Sequence, residues 1–206
     1  LALEGSFYLI GFCGGLRGEE VPLTDITGIK KWWKEGDVEN VEPHVTVALL
    51  GRFKGETGEK YHLLPLASRT TSGLLPRLWI GRAIAALENR GITRGPLFRT
   101  AKGQPIRAGA MEAQFFRRLE VIQEMRPDLI PDQVDVAEEY GVSRSFRRGS
   151  TTEAGNRGVA AHIIEMNNRW RKAERSGASQ TSLGMREHYT DVRLALPQLL
   201  RYSKAL

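Results

Sequence analysis

The sequence predicts an α+β fold, mainly helical, with a small antiparallel β-sheet. Two observations lead there. Several segments, among them "GSFYLIGFC", "SGLLPRLWIGRAIAALENRGI" and "GAMEAQFFRRLEVIQEM", read as helices. At one place the pattern changes. "HVTVALLGRFK" and "KYHLLPLA" are β-branched or alternating apolar runs, and the "GETG" between them is a hairpin signal.

The elements follow in order. "GSFYLIGFC" reads as an apolar helix broken by Gly14-Gly15, with a short second helix expected to begin near Arg17. An arginine placed just after two glycines lets the backbone approach a ligand closely. After the hairpin, "SGLLPRLWIGRAIAALENRGI" is an amphipathic helix, with Ser72 as its expected cap and Gly91 as its stop. Its Leu, Ile and Trp79 stripe is read as core. "GPLFRTAKGQPIRAG" is a loop, and "GAMEAQFFRRLEVIQEM" is the next helix. "RPDLIPDQ" is a proline-punctuated connection, after which Asp132 or Asp135 caps the helix "VAEEYGV". "SFRRGSTTEAGNRG" opens a helix that carries Arg147. A polar stretch, "RKAERSGASQTS", then leads to "GMREHYTDV" and a closing helix in "RLALPQLLRYSKAL". No repeat, low-complexity tract or linker divides the chain, so residues 1–206 are expected to form one domain.

Composition narrows the function classes. The hydrophobic fraction of 41% suits a globular core, and no apolar run approaches membrane-spanning length. The first residues lack the basic leader and cleavage site of a signal peptide. The chain opens without Met inside a helical pattern, so a piece of a longer protein is expected. A single cysteine, Cys13, excludes an intramolecular disulfide, and its neighbours "LIGFCGG" suggest a packing role. His44, His62, His162 and His188 are dispersed, so no metal site and no cofactor are expected. The net charge of +6, from thirty basic and twenty-four acidic residues, is compatible with a polyanionic partner. From Arg144 to Arg175 the chain is markedly basic, a stretch suited to a phosphate backbone.

Five residues in a fixed order point to a specific chemistry: Arg17, Lys54, Arg147, Trp170 and Tyr189. Two arginines neutralise a phosphate, a lysine protonates a leaving oxygen, an indole N–H donates, and a tyrosine attacks. Those are the groups needed to cut a phosphodiester without metal. Lys60, on the returning strand, and Tyr202, in the last helix, are rivals for the lysine and tyrosine roles.

This arrangement resembles the catalytic domain of the tyrosine recombinases, the phage-integrase family, from about Leu9 to Leu200. "GLRGEE" is similar to the family's first-arginine motif, with Glu20 as its acidic residue. "GRFKGETGEKYHLLPL" resembles the hairpin that carries the family's lysine, which favours Lys54. "RSFRRGSTTEAG" is similar to the His-x-x-Arg segment, with Arg147 as its arginine and Arg144 where His is usual. Trp170 follows Arg147 by 23 positions, which suits the family's His/Trp site. The stretch from Trp170 to Tyr189 is longer than usual and reads as an inserted loop.

The resemblance implies a mostly helical fold with a small three-stranded sheet. It implies DNA cleavage and rejoining through a 3′-phosphotyrosine, as in site-specific recombination or mobile-element integration, with no cofactor. The implied catalytic set is Arg17, Lys54, Arg144, Arg147, Trp170 and Tyr189. Double-stranded DNA is the implied partner, bound as a homotetramer, with the protein located wherever that DNA is, the nucleus or the nucleoid. A separate N-terminal DNA-clamping domain would lie outside this chain. The Arg144 substitution and the long loop suit a divergent member, such as a eukaryotic Crypton-like element. An arginine donates hydrogen bonds but cannot accept the tyrosine's proton near neutral pH. A type IB topoisomerase-like nicking-closing enzyme and a non-catalytic DNA-binding module of the same fold are the alternatives. The closing helix is expected to pack either on its own domain or on a neighbouring protomer.

Overall fold

The computed structural model describes residues 1–32, 43–51, 60–168 and 192–206. Helix α1 (Ala2–Cys13) leads through a 3₁₀ turn (Val21–Leu23) to α2 (Ile26–Trp32). Strands β1 (His44–Gly51) and β2 (Lys60–Ala67) come next, then α3 (Pro76–Glu88) and α4 (Ala108–Met125). The chain continues through α5 (Val136–Glu139), α6 (Val142–Asn156), α7 (Ala161–Asn168) and α8 (Val192–Ala205). The class is α+β and mainly helical. Among the described residues the sheet has two antiparallel strands, where the resemblance implied three.

Helix α1 lies at the centre. Phe7, Ile10 and Cys13 are fully buried, and burial pushes the Cys13 thiol up to about 12. Two of its glycines admit neighbours at close range. A Cβ on Gly5 would stand 2.8 Å from the Trp79 ring on α3, and one on Gly11 would stand 2.5 Å from Phe146 on α6. The Phe7 ring meets Phe98 edge-on at 5.2 Å, which brings the loop after α3 into the same core.

The sheet pairs Val45 with Leu66 and Val47 with Leu64, all four buried and joined to the α1 core. Helix α8 closes over β2. The Ala67 N–H donates to Ser203 Oγ at 3.0 Å, and the Thr71 N–H donates to the Lys204 carbonyl at 2.8 Å. Leu196, Leu199, Leu200, Tyr202 and Leu206 are buried by that docking. The closing helix therefore packs on its own domain. A smaller cluster of Leu119, Ile130 and Val136 joins α4 to α5. Asp135 caps α5, its Oδ1 accepting from the N–H groups of Ala137 at 2.8 Å and Glu138 at 3.1 Å.

Two local expectations are corrected. No helix begins at Arg17, because Gly15 ends α1 with a left-handed φ of +61° and the chain then turns. The next helical residues are the 3₁₀ turn at Val21. Ser72 does not cap α3. That helix starts at Pro76, whose fixed φ suits a first turn, and the Ser72 hydroxyl lies 3.0 Å from Thr70 Oγ1 instead. Gly91 does end α3, its N–H reaching the Glu88 carbonyl at 2.8 Å. Among the described residues no helix is long and apolar enough to cross a membrane.

Candidate functional site

The segments that carry Arg17 and Arg147 are far apart in sequence and come together where the turn after α1 crosses the start of α6. Helix α6 is held there by two acceptors. The Val142 N–H donates to Glu112 Oε1 at 2.9 Å, and the Gly141 N–H donates to Ser145 Oγ at 3.1 Å. Gly18 lies directly against it, since a Cβ at that position would stand 2.7 Å from the Val142 carbonyl. Bare backbone at Gly18 is what lets the "GLRGEE" turn reach α6.

Arg147, in the second turn of α6, spans the junction. Its Nε donates to the Gly15 carbonyl at 2.8 Å, and its Nη2 donates to Glu20 Oε2 at 2.6 Å. The same Glu20 oxygen accepts the Arg17 backbone N–H at 2.9 Å. The Arg147 and Glu20 side chains are 11% and 14% exposed, so this ion pair is largely removed from water. Such a pair is costly to break from one side, because the remaining charge stays desolvated. Glu20 therefore holds both arginine motifs in register. The Arg17 side chain is exposed and makes no hydrogen bond or ion pair among the described residues. Arg17 thus presents an exposed guanidinium, while that of Arg147 is fixed on Glu20 and Gly15.

A second shell of polar side chains stands behind Arg147. Ser150 Oγ accepts from Tyr202 Oη at 2.8 Å and lies 3.3 Å from the Arg147 carbonyl. Asn168 Nδ2 donates to Thr151 Oγ1 at 2.9 Å, and Asn167 Nδ2 donates to the Gly14 carbonyl at 3.1 Å. Asn167 and Asn168 are both buried at the end of α7, and Asn168 Oδ1 has no hydrogen-bond partner among the described residues. These groups fill the space beside Gly15. A Cβ there would stand 2.6 Å from Asn168 Oδ1, 2.8 Å from Asn167 Nδ2 and 2.9 Å from Tyr202 Oη. The glycine pair was expected to admit a ligand; Gly15 instead admits three side chains of the protein itself.

Tyr202 can now be placed. It is fully buried, and burial raises its phenol above the ordinary range, against the lowering effect of Ser150, Thr151 and Arg147. The enclosed hydroxyl donates to Ser150, and among the described residues Tyr202 serves as a packing and hydrogen-bonding residue.

The other candidates are reached only in part. Arg144 lies on α6 one turn before Arg147, and its side chain is outside the described residues. Lys54, Trp170 and Tyr189 lie outside them too, as does the basic stretch from Arg169 onward. Lys60 begins β2 opposite Gly51. Sequence reading assigned no role to Ser150, Asn167 or Asn168. The only signal was the "NN" before Trp170, two amides ending an otherwise apolar helix. No protein-family profile, curated protein or solved structure matches this chain.

Proposed function

We propose that this chain is a metal-independent DNA strand transferase that cuts and rejoins a phosphodiester through Tyr189. The observation that carries the reading is the meeting of two distant motifs: Arg147 donates to Glu20 and Gly15 inside the "LRGEE" turn that presents Arg17. The resemblance implied that the first- and second-arginine segments come together, and the Glu20 carboxylate links them.

In this reading the Tyr189 oxygen attacks phosphorus, forming a 3′-phosphotyrosine as the bond to the 5′ oxygen breaks. Lys54 delivers a proton to that leaving oxygen, and the phenolic proton passes to water, because Arg144 cannot accept it. Arg17 and Arg147 neutralise the charge on the pentacoordinate phosphorus, with Trp170 and Arg144 as further donors. A 5′-hydroxyl from another strand then attacks the phosphotyrosine and frees Tyr189. The phosphoester energy stays in the covalent link, and four copies of the chain would act on two duplexes.

The test is a pool of duplexes nicked so that the 5′-hydroxyl fragment diffuses away, incubated with protein in EDTA and resolved on a denaturing gel. A covalent protein–DNA band is expected with the wild type and with Tyr202→Phe, and none with Tyr189→Phe. A band that survives Tyr189→Phe overturns the assignment of the nucleophile. One observation favours a second reading, a DNA-binding module without catalysis: Glu20 pairs with Arg147 at 2.6 Å, as a structural clamp would. Salt-sensitive duplex binding with no covalent band would select it.

A further inference from the structure

The loop that joins α3 to α4 carries an unbalanced charge. From Asn89 to Met111 there is no acidic residue, while Arg90, Arg94, Arg99, Lys102 and Arg107 are all basic. Arg90, Arg94, Lys102 and Arg107 are exposed, and among the described residues none of the four makes a side-chain hydrogen bond or ion pair. Elsewhere on this surface three arginines pair with acids, Arg118 with Glu4, Arg126 with Asp128 and Arg157 with Glu153, while others such as Arg17 and Arg148 do not among the described residues; what sets the loop apart is four such cations within one stretch that holds no acid.

The loop is built, not slack. Leu97 and Phe98 are buried, anchoring its middle in the α1 core. Beyond them Phe98–Ile106 folds into a small hairpin, with the Ile106 N–H on the Phe98 carbonyl at 3.0 Å and the Thr100 N–H on the Gln104 carbonyl at 2.8 Å. Arg99 braces it. Its Nη1 donates to the Arg94 carbonyl at 3.2 Å and its Nη2 to the Gly103 carbonyl at 3.4 Å, tying the incoming stem to the tip that presents Lys102. Preorganised cations lose less entropy on binding than free ones.

Its stems also join it to the candidate site. The Ile26 N–H donates to the Gly95 carbonyl and the Leu97 N–H to the Thr24 carbonyl, both at 2.8 Å, just past the Arg17 turn. The outgoing stem enters α4, whose Glu112 accepts the Val142 N–H at the start of α6. One end is therefore fixed to the segment after Arg17, the other to the helix of Arg147.

We infer that this basic loop binds the phosphodiester backbone of duplex DNA, holding the duplex against the Arg17–Arg147 junction. The inference rests on the strand-transfer reading for its partner, and charge complementarity selects that partner: four unpaired cations and no acid on one rigid loop. It carries no base-specific readout, since backbone contacts position a duplex without reading it.

The test measures anisotropy of a labelled mixed-sequence duplex across a salt series, using the full chain and a variant with Arg90, Arg94, Lys102 and Arg107 all changed to Gln. These exposed side chains make no hydrogen bond or ion pair among the described residues, so the variant should melt with the wild type. Affinity is expected to fall more than about tenfold, and the slope of log K against log salt to become shallower by about 3 to 4 units. In parallel, acylation of Lys102 in the wild type, read by mass spectrometry, is expected to be suppressed by duplex. Unchanged affinity and slope, or equal acylation with and without duplex, overturns the loop assignment. The covalent band then still stands as the readout of the strand-transfer reading. A loss seen with a folded RNA but not with the duplex also overturns it. Absence of salt-sensitive duplex binding by the wild type overturns both readings.

Discussion

Gly15→Ala isolates the tightest point of the junction. Two costs add. The residue sits at φ +61°, where a Cβ crowds its own backbone, for about 1 kcal/mol. The new methyl would also stand 2.6 Å from Asn168 Oδ1, 2.8 Å from Asn167 Nδ2 and 2.9 Å from Tyr202 Oη. All three belong to buried side chains fixed by neighbours, so they must shift together, an overpacking cost of about 1–3 kcal/mol. The expected total is about 2–4 kcal/mol, read as a lower urea midpoint at unchanged slope. Gly158→Ala is the internal control. It ends α6 as Gly15 ends α1, with φ +76° and nothing within 4 Å of the added Cβ, so only the backbone cost of about 1 kcal/mol applies. Equal losses in the two variants would refute the crowding, and with it the seating of Asn167, Asn168 and Tyr202 beside Gly15.

Glu20→Gln keeps an acceptor for the Arg17 N–H but removes the charge opposite Arg147, and a loss of about 2 kcal/mol is expected by urea denaturation. Under the proposed function the rate of adduct formation falls as well, because Arg147 loses its fixed orientation; an unchanged rate would assign Glu20 to stability alone. The Cys13 thiol, raised to about 12 by burial, stays protonated in the fold at a pH where the unfolded thiol ionises. Its contribution is complete below the unfolded thiol pKa and is lost as pH rises toward about 12, so stability declines across that alkaline window. Cys13→Ala should flatten the decline, and a thiol reagent at mildly alkaline pH should label Cys13 only after urea unfolding.

Several features were legible in the residues because local rules decide them. Apolar runs marked α1, α3 and α4, alternation marked the hairpin, and Gly91 and Asp135 worked as stop and cap because those functions need only a few neighbouring residues. Ser72 failed as a cap because Pro76 offered a better first turn, a contest between adjacent residues that the pattern does not rank. The helix expected at Arg17 gave way to a turn, because Gly15 leaves α1 at φ +61° and helical residues resume only at Val21.

By itself, the sequence determined the class of fold, most of its larger elements and the order of the residues suited to phosphate chemistry, while α2 and α7 emerged only in the structure. Tertiary structure decided which of those residues meet. It turned Gly15 from a place for a ligand into a place for Asn167, Asn168 and Tyr202, and it buried Tyr202. It also joined Arg147 to Glu20 and braced the loop between α3 and α4 through Arg99. Spacing along a chain records what a residue's neighbours are in sequence. Burial, desolvation and ion pairing depend on neighbours in space, and those exist only once α1, α6, α7 and α8 have packed.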